Sequence, residues 1–327
     1  MPDCCRYLVA DRYTRPAWKA RRRRARVTAM TLTSQASMPA GFDAASDALR
    51  NQGWCLLPGL LPKDLVSALA DDFDPVFAAT PFCEGDFYGA RTKRFGSLLK
   101  RSAHTAAFVR HPLITALVED ALGRWCDTIQ LNLTQAIEIH PGAPLQFPHR
   151  DQDMWPALKG ELEYLVNVMW PLTSFTRANG ATLIYPGTHG AEALKDDGHG
   201  EPLFASCCPG TALVFLGSTL HGAGANLTIE TRRGMIVSYC LGWLKPYENQ
   251  WLAYPPHVAR QFEPELAGLV GYRQHRPNLG NYEGVCPSIL LGDDIPDHLG
   301  AVDALRPDQD EAVAAHRRAQ AEREGGA

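Results

Sequence analysis

The sequence predicts a mainly-β double-stranded β-helix, or jelly roll, carrying a helical layer on one side. Three observations predict it. Apolar residues recur at helical spacing before residue 123, and the period drops to two from residue 131. Short strand-like runs then follow one another to about residue 244, parted by Gly, Pro and Asn turns rather than by helices. A doubly wound parallel sheet, which alternates strands with helices, is therefore disfavoured.

The elements justify this in order. Phe42 to Asn51 and Pro62 to Phe77 read as helices; in the second, Leu65, Leu69, Phe73 and Phe77 recur every four residues, with Pro62 near the start. Between them, Gly53 to Gly59 reads as a short strand closed by a turn, and Pro112 to Leu122 as a helix ending at Gly123. Leu131, Leu133, Gln135, Ile137 and Ile139 alternate with Asn132, Thr134, Ala136 and Glu138, a strand with one face on a core. Further strands are expected at Tyr164–Leu172, Ala181–Tyr185, Leu203–Cys207, Thr211–Leu216 and Gly234–Leu244. The expected organisation is a disordered basic extension over 1–40, one jelly-roll domain over 41–300, and a polar tail over 301–327 that is a frayed helix or disordered.

Composition narrows the function classes. The 327 residues are 45% hydrophobic and 21% charged, which excludes a disordered chain, and no apolar stretch approaches the length that spans a bilayer. The net charge of −4 hides nine basic against two acidic residues in the first 29, so the remainder is acidic, which argues against nucleic acid as the partner. The Arg21–Arg24 run is followed by a segment too polar for an export signal, and nine Cys include no C-x-x-C pair. The expectation is a cytoplasmic protein with reduced thiols, a small-molecule substrate, no nucleic acid and no membrane span.

Chemistry concentrates in His149-Arg150-Asp151. On an extended chain, alternate residues share a face, so His149 and Asp151 could reach one point. With 11 His and 36 acidic residues, chance supplies about one such pair, and His199-Gly200-Glu201 is a decoy in a polar, Gly-bearing loop. The company His149 keeps separates the two. A strand, Thr211–Leu216, runs to His221; a Gly/Asn turn follows, and Arg232 enters the next strand. Two His and one carboxylate leave three positions open on an iron ion, which suits a non-haem Fe(II) oxygenase. A nearby Arg would pair with a distal carboxylate of a chelating co-substrate.

On these residues the chain resembles the phytanoyl-CoA dioxygenase family of Fe(II)- and 2-oxoglutarate-dependent, cupin-like oxygenases. The resemblance covers about residues 47–292. It rests on His149-x-Asp151, His221 and Arg232 eleven residues later, with Ala178-Asn179-Gly180, Tyr185-Pro186-Gly187-Thr188-His189 and His221-Gly222-Ala223-Gly224-Ala225-Asn226-x-Thr228 resembling further family signatures. It implies His149, Asp151 and His221 as iron ligands, Arg232 as holder of the far carboxylate of 2-oxoglutarate, and Gln135 as a co-substrate contact. Where some members carry a co-substrate-binding Ser two residues after the distal His, this chain has Ala223; Thr228 is the alternative hydroxyl. Halogenating relatives replace the carboxylate with a small residue, so Asp151 implies hydroxylation or another oxidation, with O2 consumed and succinate and CO2 released.

Other residues stay open between two readings. Gln146, Phe147 and Trp155 line the substrate pocket or belong to the core. Asn226 shapes its turn or touches a ligand. Phe87 to Arg94 is a lid with cations or, the favoured reading, a solvated charge run on a loop. Trp243, Tyr247, Trp251 and Tyr254 cap the barrel or form a partner surface. His104, His140 and His189 read as non-ligands. Two other functions compete: a metal-dependent cupin-like enzyme that uses no 2-oxoglutarate, and a catalytically silent jelly-roll binding protein.

Overall fold

The computed structural model describes residues 38–195 and 199–325. The basic extension expected over 1–40 therefore lies outside the described residues as far as Ser37. Helix α1 (Phe42–Gln52) and helix α2 (Lys63–Ala79) flank strand β1 (Trp54–Leu57), close to the expected bounds. Gly53, at φ 82°, ends α1 and accepts a hydrogen bond from the Thr219 hydroxyl at 2.9 Å; a Cβ there would collide with that hydroxyl. Strand β2 (Thr92–Gly96) comes next, then helices α3 (Thr105–Val109) and α4 (Pro112–Leu122).

Strands β3 (Ile129–Ile139), β4 (Leu165–Pro171), β7 (Ala212–Leu216) and β9 (Arg232–Leu241) join β1 and β2 in one antiparallel sheet, in the order β1-β7-β4-β9-β3-β2. A smaller sheet pairs β6 (Leu203–Phe204), β5 (Thr182–Ile184) and β8 (His221–Ala223) in that order. The two sheets face each other as the jelly roll expected from the period-two run. Alternation assigns the faces. Val166, Val168 and Trp170 of β4 pack outward against Leu69 and Phe73 of α2 and Phe108 of α3 in one large core, while Met169, Leu213, Phe215 and Ile184 fill the space between the sheets. Both faces of β4 are covered, which is why all seven of its residues are buried.

Two sequence expectations are corrected. Residues 92–94, read as the end of a solvated loop over Phe87 to Arg94, belong to β2, which pairs in register with Gln135–Ile139. Lys93 and Arg94 disguise this strand, because each face carries a cation, Lys93 toward α2 and Arg94 toward the cavity, where an ordinary half-buried strand has one apolar face. In β3 the register shifts between Leu131 and Leu133, so Leu131 joins the outer core while Leu133, Gln135, Ile137 and Ile139 face inward. Residues 307–325 form an exposed helix with no buried side chain. The described cysteines are free thiols, and no described helix is long and apolar enough to cross a membrane.

The turn from β7 to β8 is pinned from outside the barrel by Glu163, whose carboxylate accepts hydrogen bonds from the Ser218 backbone N–H at 3.1 Å and from its hydroxyl. Burial pushes the Glu163 carboxyl up to about 7, against the lowering effect of those hydrogen bonds. The unfolded chain therefore ionises first. The associated stability is full below about pH 4.5 and is lost as pH rises to about 7, on the order of 3 kcal/mol at most. Urea titrations of Glu163→Gln should accordingly show a flatter stability profile between about pH 5 and pH 8 than the parent chain; parallel profiles would refute the assignment.

Candidate active site

His149 and His221 are joined by the backbone. The His149 N–H donates to the His221 carbonyl at 2.9 Å, and the His221 N–H donates back at 3.0 Å, an isolated antiparallel bridge that sets the imidazoles 4.5 Å apart. Each ring uses Nδ1 locally: His149 Nδ1 lies 2.9 Å from the Phe147 carbonyl, and His221 Nδ1 lies 3.0 Å from the Thr219 carbonyl. A carbonyl only accepts, so a proton sits on Nδ1, and Nε2 is left to carry either a second proton or a metal ion. Both Nε2 atoms point at Asp151, at 3.4 Å from Oδ1 and 3.5 Å from Oδ2 respectively. One donor atom from each residue fits within 4.8 Å of the others, the one such group of His, Cys, Asp and Glu among the described residues. His199 and Glu201 are not part of any such group; His199 packs on Tyr185.

The route to this geometry differs from the expected alternation along an extended chain. His149 sits in the bridge, and Asp151 opens a 3-10 turn, Asp151–Met154, so the bridge and turn together aim the carboxylate back at the rings. Asn167 of β4 donates from Nδ2 to Asp151 Oδ2 at 2.9 Å. Burial opposes ionisation of Asp151, but the charge of His221 and the hydrogen bond from His149 outweigh it and hold the carboxyl well below its usual range. Burial likewise disfavours charge on His221, and Asp151 reverses this, so the pair favours a positive charge at Nε2, proton or metal alike.

Arg232 opens β9, opposite Ile139, and is 1% exposed. Its guanidinium lies 4.1 Å over the Phe175 ring and donates to the Gly180 carbonyl, while Nε has no partner. Burial, then the charge of Arg94, brings its pKa down to about 9. Arg94 projects from β2 into the same cavity; it donates to Gln135 Oε1 at 3.1 Å, stacks 4.9 Å over Tyr88, and its Nε is also unpartnered. Burial lowers its pKa as well. Neither cation has a carboxylate partner among the ion pairs of the described residues. Buried and unneutralised cations are costly, so this pair calls for an anion. Sequence reasoning named Arg94 only within the run Phe87 to Arg94, for which a solvated charge run was favoured over a lid with cations; the pairing of β2 with β3 is what brings it into the cavity.

These groups line one cavity of about 110 Å³. Gln135 and Gln146 line it as expected; Thr182, not anticipated, supplies a hydroxyl-bearing side chain to its wall. Three expected residues lie elsewhere. Trp155 is in the outer core, its indole N–H bonded to the Lys245 carbonyl at 2.9 Å, because the 3-10 turn swings it away from the cavity. Phe147 is 74% exposed and outside the cavity lining, since its neighbour Gln146 takes the inward position. The Thr228 hydroxyl donates to Asn226 Oδ1 at 2.8 Å and so serves the turn. Asn226 is fully buried and spends its amide internally, donating to the Ile139 and Glu230 carbonyls and accepting from Thr228 N–H. It shapes the turn that delivers Arg232. Tyr247 reaches the cavity mouth and bonds the Tyr88 hydroxyl, Tyr254 is buried, and Trp243 and Trp251 remain exposed.

Asn226→Ala strands three backbone partners, so denaturant unfolding should show a loss of about 1–3 kcal/mol; Thr228→Val, which keeps the Asn226 amide bonds, should lose less than half as much.

A model of the phytanoyl-CoA dioxygenase (PhyH) family matches residues 49–234. The chain is 32% identical over 299 residues to dioxygenase FrzG of Cladobotryum sp, covering 80% of this chain and 94% of the relative. It is 28% identical to dioxygenase trt7 of Aspergillus terreus, covering 70% and 83%. Among solved structures, the non-haem α-ketoglutarate-dependent epimerase SnoN from nogalamycin biosynthesis superposes with a TM-score of 0.54 at 19% identity, covering 64% of this chain and 87% of that one, a likeness of fold. With a family match over more than half its length and a relative nearly as long as itself, the chain belongs to the phytanoyl-CoA dioxygenase family of dioxygenases.

Proposed function

We propose that His149, Asp151 and His221 hold one Fe(II) ion, that 2-oxoglutarate is the co-substrate, and that the enzyme hydroxylates a small, largely apolar organic molecule. The observation that carries this is the meeting of two kinds of unfinished site in one cavity. Two Nε2 atoms and a carboxylate converge, and the guanidinium groups of the buried Arg232 and the partly buried Arg94 lack an ion-pair partner. The donor set suits iron: imidazole and carboxylate in a two-to-one ratio leave three positions for a chelating acid and O2. When bound, iron supplies the redox chemistry that turns 2-oxoglutarate and O2 into succinate, CO2 and oxidised substrate.

The protein supplies placement and electrostatics. Arg232 offers a forked, charge-assisted contact to the far carboxylate, held flat against Phe175 so that little freedom is lost on binding. Arg94, oriented by Gln135, provides a second positive group on the cavity wall, and Thr182 a hydroxyl. A cavity of about 110 Å³ is small beside the ~300 Å³ of the smallest ordinary ligand pockets, so the co-substrate takes the interior and the substrate lies across the mouth. That mouth is built from Phe87, Tyr88, Gln146, Met154 and Tyr247. Burial and Tyr88 push the Tyr247 hydroxyl up to about 12, so it stays neutral. The absence of charge among these five residues supports an uncharged, apolar substrate. The carboxylate at Asp151 supports hydroxylation over halogenation, which would need its position for halide.

The purified enzyme, given Fe(II), O2 and a panel of apolar substrates, should form succinate from 2-oxoglutarate; His149→Ala should abolish this. Succinate-free oxidation would favour the cupin-like alternative, and no reaction at all the silent binding protein. Arg232→Ala should raise the KM for 2-oxoglutarate about 100-fold, a loss of roughly 3 kcal/mol in a charge-assisted buried contact. An unchanged KM would remove Arg232 from the co-substrate site while leaving the iron ligands standing.

A further inference from the structure

We infer that Asn167 is a positioning residue that determines which oxygen of Asp151 a bound metal meets, and so holds the carboxylate to a single coordination position. The inference rests on the metal reading of His149, Asp151 and His221. Asn167 lies mid-strand in β4, opposite Phe215 of β7 and Ser238 of β9, with no exposed surface. The strand reads Leu-Val-Asn-Val-Met-Trp-Pro, so this amide is its one polar side chain apart from the Trp170 indole N–H. Burying an amide there costs free energy unless it is hydrogen-bonded. Its Nδ2 donates to Asp151 Oδ2 at 2.9 Å, and its Oδ1 has no partner. The contact to the carboxylate is therefore the one side-chain hydrogen bond the amide makes.

Two consequences follow from the chemistry of an amide in that place. A carboxamide N–H donates at every accessible pH and does not transfer its proton, so it orients the carboxylate without neutralising it. The bond also engages Oδ2, which lies 3.5 Å from His221 Nε2, and leaves Oδ1, 3.4 Å from His149 Nε2, without an amide donor. Drawing Oδ2 away from Asn167 to share a metal with Oδ1 would break the bond and leave the whole amide unpaired inside the barrel, at a cost that opposes the shift. The functional value is a matter of counting. Two imidazoles and one oxygen leave three of six positions free, whereas a second carboxylate oxygen would occupy one that the co-substrate or O2 requires.

Anaerobic Co(II) titration of the full chain tests this, with the visible Co(II) spectrum and thermal unfolding recorded on the same samples. Asn167→Leu keeps the volume and loses the donor; Asn167→Asp keeps the shape and replaces donor with acceptor. Both should bind Co(II) about 10–100-fold more weakly than the parent and with an altered spectrum. If folded variants match the parent in affinity and spectrum, the positioning role is overturned while the metal reading stands, even where the melting temperature falls. If the parent itself binds no Co(II), the metal reading fails first. Should Asn167→Leu lose its cooperative transition, the near-isosteric Asn167→Asp decides the question alone.

Discussion

The site depends on a two-hydrogen-bond bridge between His149 and His221, residues far apart in the chain. The bridge brings the segment after β3 against β8, across the opening between the two sheets. Once the backbones are paired, each ring is turned by a carbonyl two residues before it and backed by an aromatic ring, Phe87 on His149 and Phe215 on His221, so the two Nε2 atoms converge. Asp151 then needs only one tight turn to face them. The rest of the barrel can be read as support for that bridge: Glu163 and Gly53 brace the turn before His221, and Asn226 shapes the one after it.

Electrostatics set the second constraint. Arg94 and Arg232 enter the barrel from β2 and β9, on either side of β3, and each is desolvated without an acidic partner. An apolar interior would be more stable with neither. Their retention is intelligible if an anion completes the site, because binding then removes an electrostatic penalty already present in the empty barrel. A stacked ring beneath each guanidinium, Phe175 under one and Tyr88 under the other, keeps the forks flat and limits the entropy lost on binding.

Legibility tracked how local the determining physics was. The α1, α2 and α4 helices came from spacing and end signals that act within a few residues, and the observed bounds lie within two residues of the expected ones. β3 was visible through its two-residue alternation, and β4, β7 and β9 because both sides of the large sheet are covered there, giving dense apolar runs. β2 was hidden because its inward position carries Arg94, whose burial is meaningful only beside Gln135 and a cavity. Trp155 stayed open between pocket and core, and the core holds it: nearness to Asp151 in sequence says little when a 3-10 turn intervenes and redirects the side chain.

The sequence by itself determined the fold class, the family and the three residues whose donor atoms converge, because residue type and spacing are enough to state a ligand set and a period. The tertiary structure decided everything that depends on what stands opposite in space. It gave the tautomer-setting carbonyls, the amide of Asn167 on Asp151, the second cation and the uncharged mouth. Cross-strand register and burial create those relations, and neither is written in the order of residues along one strand.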